Sequence, residues 1–175
     1  MGMTVLLGGA RSGKSELSSR LASSADRPVV VVVTAEPRDE EMAERIRRHR
    51  GARPSAWTTV EAPLHLADAV GELAPDAFVL LDCLTLWVSN AIEANLSDEQ
   101  IVDEARTIAT ALAKREAPAV VVTNEVGLGI VPMNTLARRY RDTLGRVNAT
   151  FVAEAERAYL VVAGRALSLA EVTLA

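Results

Sequence analysis

The run GGARSGKS, residues 8–15, carries the most specific chemistry in the chain, because it fits G-x-x-x-x-G-K-[ST] with Gly8, Gly13, Lys14 and Ser15 at the fixed positions. These residue types at this spacing make a cradle for phosphate. Successive backbone N–H groups along Gly8, Gly9, Ala10, Arg11, Ser12 and Gly13, with the positive end of a following helix, converge on an anion. Lys14 reaches the β and γ phosphates of a nucleotide, and the Ser15 hydroxyl supplies a ligand for Mg²⁺. That metal needs an acidic partner at the end of a neighbouring apolar strand, and FVLLD (78–82) offers Asp82. The alternative for Asp82 is to cap a helix in DCLTLWVSN, which follows directly.

A second constellation is RIRRHRGARPSAW, residues 45–57, where His49 stands among Arg45, Arg47, Arg48, Arg50 and Arg53. Met42, Ile46 and His49 fall on one face of a helix at i, i+4 and i+7, which Gly51 is expected to close. Residue chemistry leaves two roles open for His49. It can pack its ring on the end of the apolar stripe, or it can act as a nucleophile toward a phosphoryl group that the arginines attract. Nearby positive charge favours the neutral, nucleophilic imidazole, whereas the negative helix end favours imidazolium. The other histidine, His65, lies in a helical stretch and reads as structural.

The elements that must hold these residues are legible from hydropathy. TVLL (4–7), VVVVVT (29–34), FVLLD (78–82), AVVVT (119–123) and AYLVVAG (158–164) are continuous apolar runs without polar alternation, as expected of strands buried on both faces of a parallel sheet. Between them, residues 14–25, 39–50, 63–73, 97–115 and 135–157 have helical spacing, and Ser97 with Gln100 offers a capping box. The alternation predicts an α/β fold, doubly wound, with a mostly parallel sheet and helices on both faces, as one domain over 1–175. Ligands in such a sheet bind beyond the carboxyl ends of the strands. Three candidates lie there: Thr34 after the second run, Glu61 after WTTV, and Glu125 after the AVVVT run.

Composition excludes several classes. A net charge of −4 disfavours a protein that holds nucleic acid by phosphate neutralisation, and an aromatic content of 3% leaves few platforms for stacking bases. The arginines at 45–53 and at 138–146 (Arg138, Arg139, Arg141, Arg146) read as discrete anion sites or as solvated helix faces, not as a duplex track. Cys83 is the only cysteine, so no disulfide or thiolate zinc site forms within the chain. No apolar run is long enough for a membrane span and no signal-peptide pattern opens the chain, so a soluble, cytoplasmic protein is expected.

The phosphate loop does not separate kinases, switches and motor ATPases. A guanine-nucleotide switch carries N-K-x-D after a late strand, where this chain has TNEVG at 123–127. GGARSGKS, DEEMAERIRRHRGARPSAWTTVEAP, LLDCLTLWVSN, TNEVGLGIVPMNTLARRYRDTLGRVN and the closing LVVAG together resemble the bifunctional adenosylcobinamide kinase and adenosylcobinamide-phosphate guanylyltransferase family of cobalamin biosynthesis, in order and over nearly the whole chain. The resemblance implies a RecA-like P-loop NTPase architecture. It also implies a kinase step that uses ATP or GTP on the aminopropanol hydroxyl of adenosylcobinamide. A second step follows, in which GMP passes from GTP to the new phosphate with release of pyrophosphate, through a guanylylated histidine. The position matching that histidine is His49. Some relatives carry a histidine pair there, and this chain has Arg48 before it.

The same resemblance implies Mg²⁺ and a homotrimer. Beside it, Glu61 offers an acceptor for guanine N1 and N2 or is an exposed strand-end carboxylate. Arg53 is a contact for nucleotide phosphate, Thr34 a lining residue, and Glu125 a base for the substrate hydroxyl, an orienter of a metal-bound water, or the partner of a loop arginine. The rival readings are a P-loop kinase of another small alcohol, a RecA-like ATPase, and a binding module that never turns over.

Overall fold

The computed structural model describes residues 2–170. In chain order the elements are β1 (Met3–Leu7), α1 (Lys14–Ser23), β2 (Val29–Val33), α2 (Glu40–Gly51), β3 (Thr58–Glu61), α3 (Leu66–Gly71) and β4 (Phe78–Asp82). There follow α4 (Leu84–Glu93), α5 (Asp98–Ala113), β5 (Ala119–Val122), α6 (Thr135–Glu154), β6 (Arg157–Val162) and β7 (Arg165–Leu169). All seven strands join one sheet in the order β3-β2-β4-β5-β1-β6-β7, parallel throughout except for β7, which runs antiparallel to β6.

The apolar runs form the central strands because both of their faces are covered. Met3, Val5 and Leu7 of β1, with Val79, Leu81 and Val121, face a core closed by α3, α4, α5 and α6. Leu6, Val31, Leu80, Val120 and Val122 face the opposite side, where Ala22 and Leu17 of α1 lie. Alternate residues of each strand therefore serve different cores, and a continuous hydrophobic run is what that demands. Trp87 of α4 is fully buried in the larger core, and its indole N–H donates to the Leu64 carbonyl at 3.1 Å.

Local signals set several boundaries. The Ser97 hydroxyl accepts from the Gln100 N–H at 3.2 Å and the Gln100 side chain accepts from the Ser97 N–H at 2.8 Å, a complete capping box at the start of α5. The Asp39 carboxylate accepts from the Met42 N–H at 2.7 Å and opens α2. Gly51 does not close α2 as expected. It is the last helical residue, no left-handed turn forms there, and Ala52 follows in right-handed geometry with its N–H bonded to the Arg48 carbonyl. The run at 158–164 also divides: β6 ends at Val162, and the pair Ala163 and Gly164, at φ 50° and 75°, turns the chain back into β7. Among the described residues no helix is long and apolar enough to cross a membrane.

Candidate active site

The carboxyl ends of β1, β3 and β4, with the first residues after β2 and β5, open into one cavity of about 660 Å³. One wall is the phosphate loop between β1 and α1. Its shape depends on two glycines with positive φ. At Gly8 (φ 156°) a Cβ would stand 2.3 Å from the Val161 carbonyl oxygen, and at Gly13 (φ 100°) it would meet the Gly164 Cα at 3.0 Å. Any side chain there would push the loop off the β6–β7 turn, which holds it through a bond from the Gly164 N–H to the Ser12 carbonyl at 2.8 Å. The turn pairs with a loop about 150 residues away in sequence, so nothing local in the chain announces it.

Lys14 is buried, and its ammonium donates to the Gly8 carbonyl (2.7 Å), the Gly9 carbonyl (2.8 Å) and the Ser12 hydroxyl (3.3 Å). Burial lowers its pKa from the usual lysine value, against the opposing influence of the Cys83 thiol and the Asp82 carboxylate. Gly8 and Gly9 thus serve by orienting Lys14, while Ala10, Arg11, Ser12, Gly13, Lys14 and Ser15 line the cavity.

Asp82, at the end of β4, also lines the cavity. It caps nothing: α4 begins after Cys83, whose side chain makes no capping bond. Its carboxylate instead accepts from the Arg53 guanidinium at 3.2 Å, and the two side chains are 21% and 13% exposed. A cation already sits on this carboxylate, so the position suits positive charge. Asp82 and the Ser15 hydroxyl are the hard oxygen donors that Mg²⁺ takes.

The facing wall is α2. Met42, Ile46 and His49 all line the cavity from one helical face, as their spacing predicts, with Arg45, Arg50 and Arg53 beside them. Arg48 points elsewhere and is exposed, so the arginine in place of a second histidine leaves the cavity wall unchanged. The His49 ring is half-buried, with no hydrogen-bond partner among the described residues. Helix α2 buries none of its residues fully, so its contribution is to the cavity and not to either core. At the end of β3, the Glu61 carboxylate accepts from Arg50 at 3.1 Å with both groups well exposed.

Two expected lining residues are placed differently. Thr34 has no exposed surface: its hydroxyl donates to the Cys83 carbonyl at 2.6 Å and accepts from the Cys83 N–H at 3.1 Å, tying β2 to the turn after β4. It positions Asp82 from behind. Glu125 does not line the cavity: its carboxylate accepts from the Gly127 N–H in its own loop and pairs with no arginine among the described residues. Its backbone N–H donates to the Gly8 carbonyl at 3.1 Å. In the wall instead stand Thr85 and Asn124, joined by a bond from the Asn124 N–H to the Thr85 hydroxyl at 2.8 Å. Neither was singled out from sequence. The signal was available, since each lies within three residues of a strand's carboxyl end.

The arginines at 138–146 are engaged within the chain, with Arg146 3.9 Å from Glu99. Arg138 donates to the Pro132 and Met133 carbonyls, Arg139 pairs with Asp98 at 2.7 Å and bonds the Leu96 carbonyl, and Arg141 pairs with the adjacent Asp142. His65 occupies the N-cap position of α3 without a capping bond, outside the cavity.

Comparison with known proteins gives the family and the fold. The bifunctional adenosylcobalamin biosynthesis protein CobU of Salmonella typhimurium is 41% identical over 175 aligned residues, covering 93% of this chain and 96% of that protein. The corresponding CobP of Pseudomonas aeruginosa is 40% identical, covering 94% and 95%. Among solved structures, the assembled ATPase EscN of the enteropathogenic E. coli type III secretion system superposes with a TM-score of 0.60 at 9% identity, over 93% of this chain and 43% of that one. The RadB recombinase does so with 0.52 at 15% identity, over 91% and 73%. These likenesses show that the chain shares its α/β fold with that ATPase and that recombinase. The sequence model for CobU, described as cobinamide kinase / cobinamide phosphate guanyltransferase, matches residues 4–169, and with the two relatives it establishes that the chain belongs to that family.

Proposed function

We propose that the chain carries out both reactions for which its family is named from this single cavity, with the phosphate loop and Asp82 serving the nucleotide and His49 serving as the guanylyl acceptor. The observation that carries the reading is the shared cavity: the imidazole of His49 and the Lys14–Ser15 end of the phosphate loop line one space of about 660 Å³.

In the kinase step a triphosphate lies along the loop N–H groups at the start of α1. Lys14 exchanges at least one of its present acceptors for a phosphate oxygen. The Ser15 hydroxyl and Asp82 would hold a Mg²⁺ ion, which would supply positive charge to offset that on the phosphates. Arg53, relieved of Asp82, has the reach to meet the same phosphates. The cobinamide hydroxyl attacks the γ-phosphorus in line, its proton leaves to solvent, and the nucleoside diphosphate departs.

In the guanylyl step a neutral imidazole nitrogen of His49 attacks the α-phosphorus of GTP. An N–P bond forms as the bond to pyrophosphate breaks. A phosphate oxygen of cobinamide phosphate then attacks the same phosphorus, forming the product diphosphate and returning the electron pair to His49. Arg45 and Arg50 beside the ring, with Arg53, stabilise the charge that builds on the equatorial oxygens. Glu61 at the rim accepts from guanine N1 and N2 once Arg50 releases it.

The test is intact-protein mass spectrometry after exposure to GTP and Mg²⁺. A guanylyl adduct that is acid-labile and alkali-stable, and absent from His49→Ala, is the expected result. Guanylyl transfer that persists at the wild-type rate in His49→Ala refutes the role of His49.

A further inference from the structure

The loop between β5 and α6 is the least expected surface of the molecule. It places Leu128, Ile130, Val131 and Met133 in solvent with 84%, 97%, 58% and 95% of their surface exposed. Residues 126–137, VGLGIVPMNTLA, contain no charged side chain. So much contiguous apolar surface marks a place where something binds.

The loop is built, not slack. The Arg138 guanidinium donates to the Pro132 carbonyl at 2.9 Å and the Met133 carbonyl at 2.7 Å, and the Gly127 N–H donates to Glu125. The Asn134 carboxamide oxygen accepts from the Leu136 and Ala137 N–H groups at 2.8 and 3.1 Å, which fixes the loop's far end as the cap of α6. Hydrogen bonds thus hold the two ends of the loop, while the apolar side chains between them stand exposed.

Its root lies in the active cavity. Asn124 is part of the cavity wall, and the next residue, Glu125, is bonded through its N–H to Gly8 of the phosphate loop. At the far end, Ile92, Leu136, Ala137 and Tyr140 wall a shallow groove of about 400 Å³ between α4 and α6. The apolar loop thus leads in sequence from the cavity wall at one end to a groove at the other.

Resting on the function proposed above, we infer that this loop is the platform on which the corrin ring of cobinamide lies, outside the cavity, with the hydroxyl-bearing arm passing inward beside Asn124. Size requires an outside berth: a cavity of about 660 Å³ that receives a nucleoside triphosphate has no room for a corrin macrocycle as well. Charge selects the occupant. The ring's periphery is neutral amides around a broad apolar body, which an uncharged aliphatic loop suits, whereas a nucleotide would require cations that residues 126–137 lack.

The test uses Ile130→Ser, Met133→Ser and the double variant, with Leu128→Gln as a second site. These side chains are almost wholly exposed, so the fold does not depend on them. Cobinamide binding is followed by equilibrium dialysis through the visible absorbance of the corrin, alongside KM and kcat for both substrates and the sedimentation of the protein. The double variant is expected to raise Kd and KM for cobinamide by about tenfold or more, about 1.4 kcal/mol, with kcat, nucleotide affinity and assembly unchanged. An unchanged cobinamide Kd overturns the platform, and if assembly falls at the same time the loop is an interface between copies of the chain. A wild type that shows no cobinamide-dependent turnover refutes the function and the platform together, whereas an active wild type with indifferent variants refutes the platform alone.

Discussion

The chain has two arginine-rich segments of similar composition, and they do opposite work. Between 138 and 146 the guanidinium groups are spent inside the molecule: Arg139 ties α6 to Asp98 at the start of α5, and Arg138 shapes the apolar loop. Between 45 and 53 they border a cavity, where Arg45 has no ion-pair partner among the described residues, Arg47 and Arg50 pair with the exposed carboxylates of Glu44 and Glu61, and Arg53 holds Asp82, itself in the cavity wall. On the function proposed above, an arginine is available to ligand where it borders the cavity and its present partner lies in the cavity wall or in solvent. Helix α6 packs along α5 and finds carboxylates and carbonyls there, whereas α2 buries nothing and is left with charge to offer.

Breaking this contrast gives the sharpest measurements. The largest effect is expected at His49: alanine should lower guanylyl transfer by roughly 10³-fold or more, while Arg48→Ala, the adjacent residue outside the cavity, stays within about threefold, both read as GMP transfer to cobinamide phosphate. Next is Lys14→Met, expected to lower kinase kcat/KM by roughly 10²- to 10³-fold in a coupled assay, because a donor to the transferring phosphates is lost.

The two segments are then set directly against each other. Arg53→Gln should lower kcat/KM by roughly tenfold to a hundredfold, with a Tm loss of about the same few degrees as Arg139→Gln, since the lost group serves the ligand as well as Asp82. Arg139→Gln should leave kinetics alone and lower Tm by about 2–4 °C, as expected for a partly exposed pair worth about 1 kcal/mol. If instead Arg139→Gln damages turnover, or Arg53→Gln leaves kcat/KM unchanged, the contrast fails.

The smallest effect concerns Tyr140, whose phenol donates to the Thr85 carbonyl behind the cavity wall. Burial, with a lesser influence from Cys83, pushes its pKa from 10.0 up to about 12. The folded state therefore keeps a proton that the unfolded chain releases above about pH 10, and this stabilisation is lost as pH rises from about 10 through about 12. Melting curves of Tyr140→Phe over that window should show a shallower decline than the wild type.

Much of the fold was legible because its signals are local or dictated by burial. β1, β2, β4 and β5 read as strands because both of their faces are covered, and the Ser97–Gln100 capping box spans only three residues. β7 was not read, because every one of its residues is exposed and an edge strand leaves no hydrophobic record. The division of 158–164 was missed for a related reason: the turn at Ala163–Gly164 is justified by the phosphate loop that it grips. In the site, Lys14, Ser15, Asp82, His49, Arg53 and Glu61 all reach the cavity, while Thr34 and Glu125 follow strand ends yet point away from it.

The amino-acid sequence by itself determined the phosphate loop, the buried, parallel character of the central strands and the helical face that carries His49, because each follows from backbone conformations and periodicities within a few residues. Only the tertiary structure decided which charges remain available. Arg53 meets Asp82 across 29 positions and Arg139 meets Asp98 across 41, and whether a guanidinium faces a nucleotide or a neighbouring helix depends on chain paths that no local pattern records.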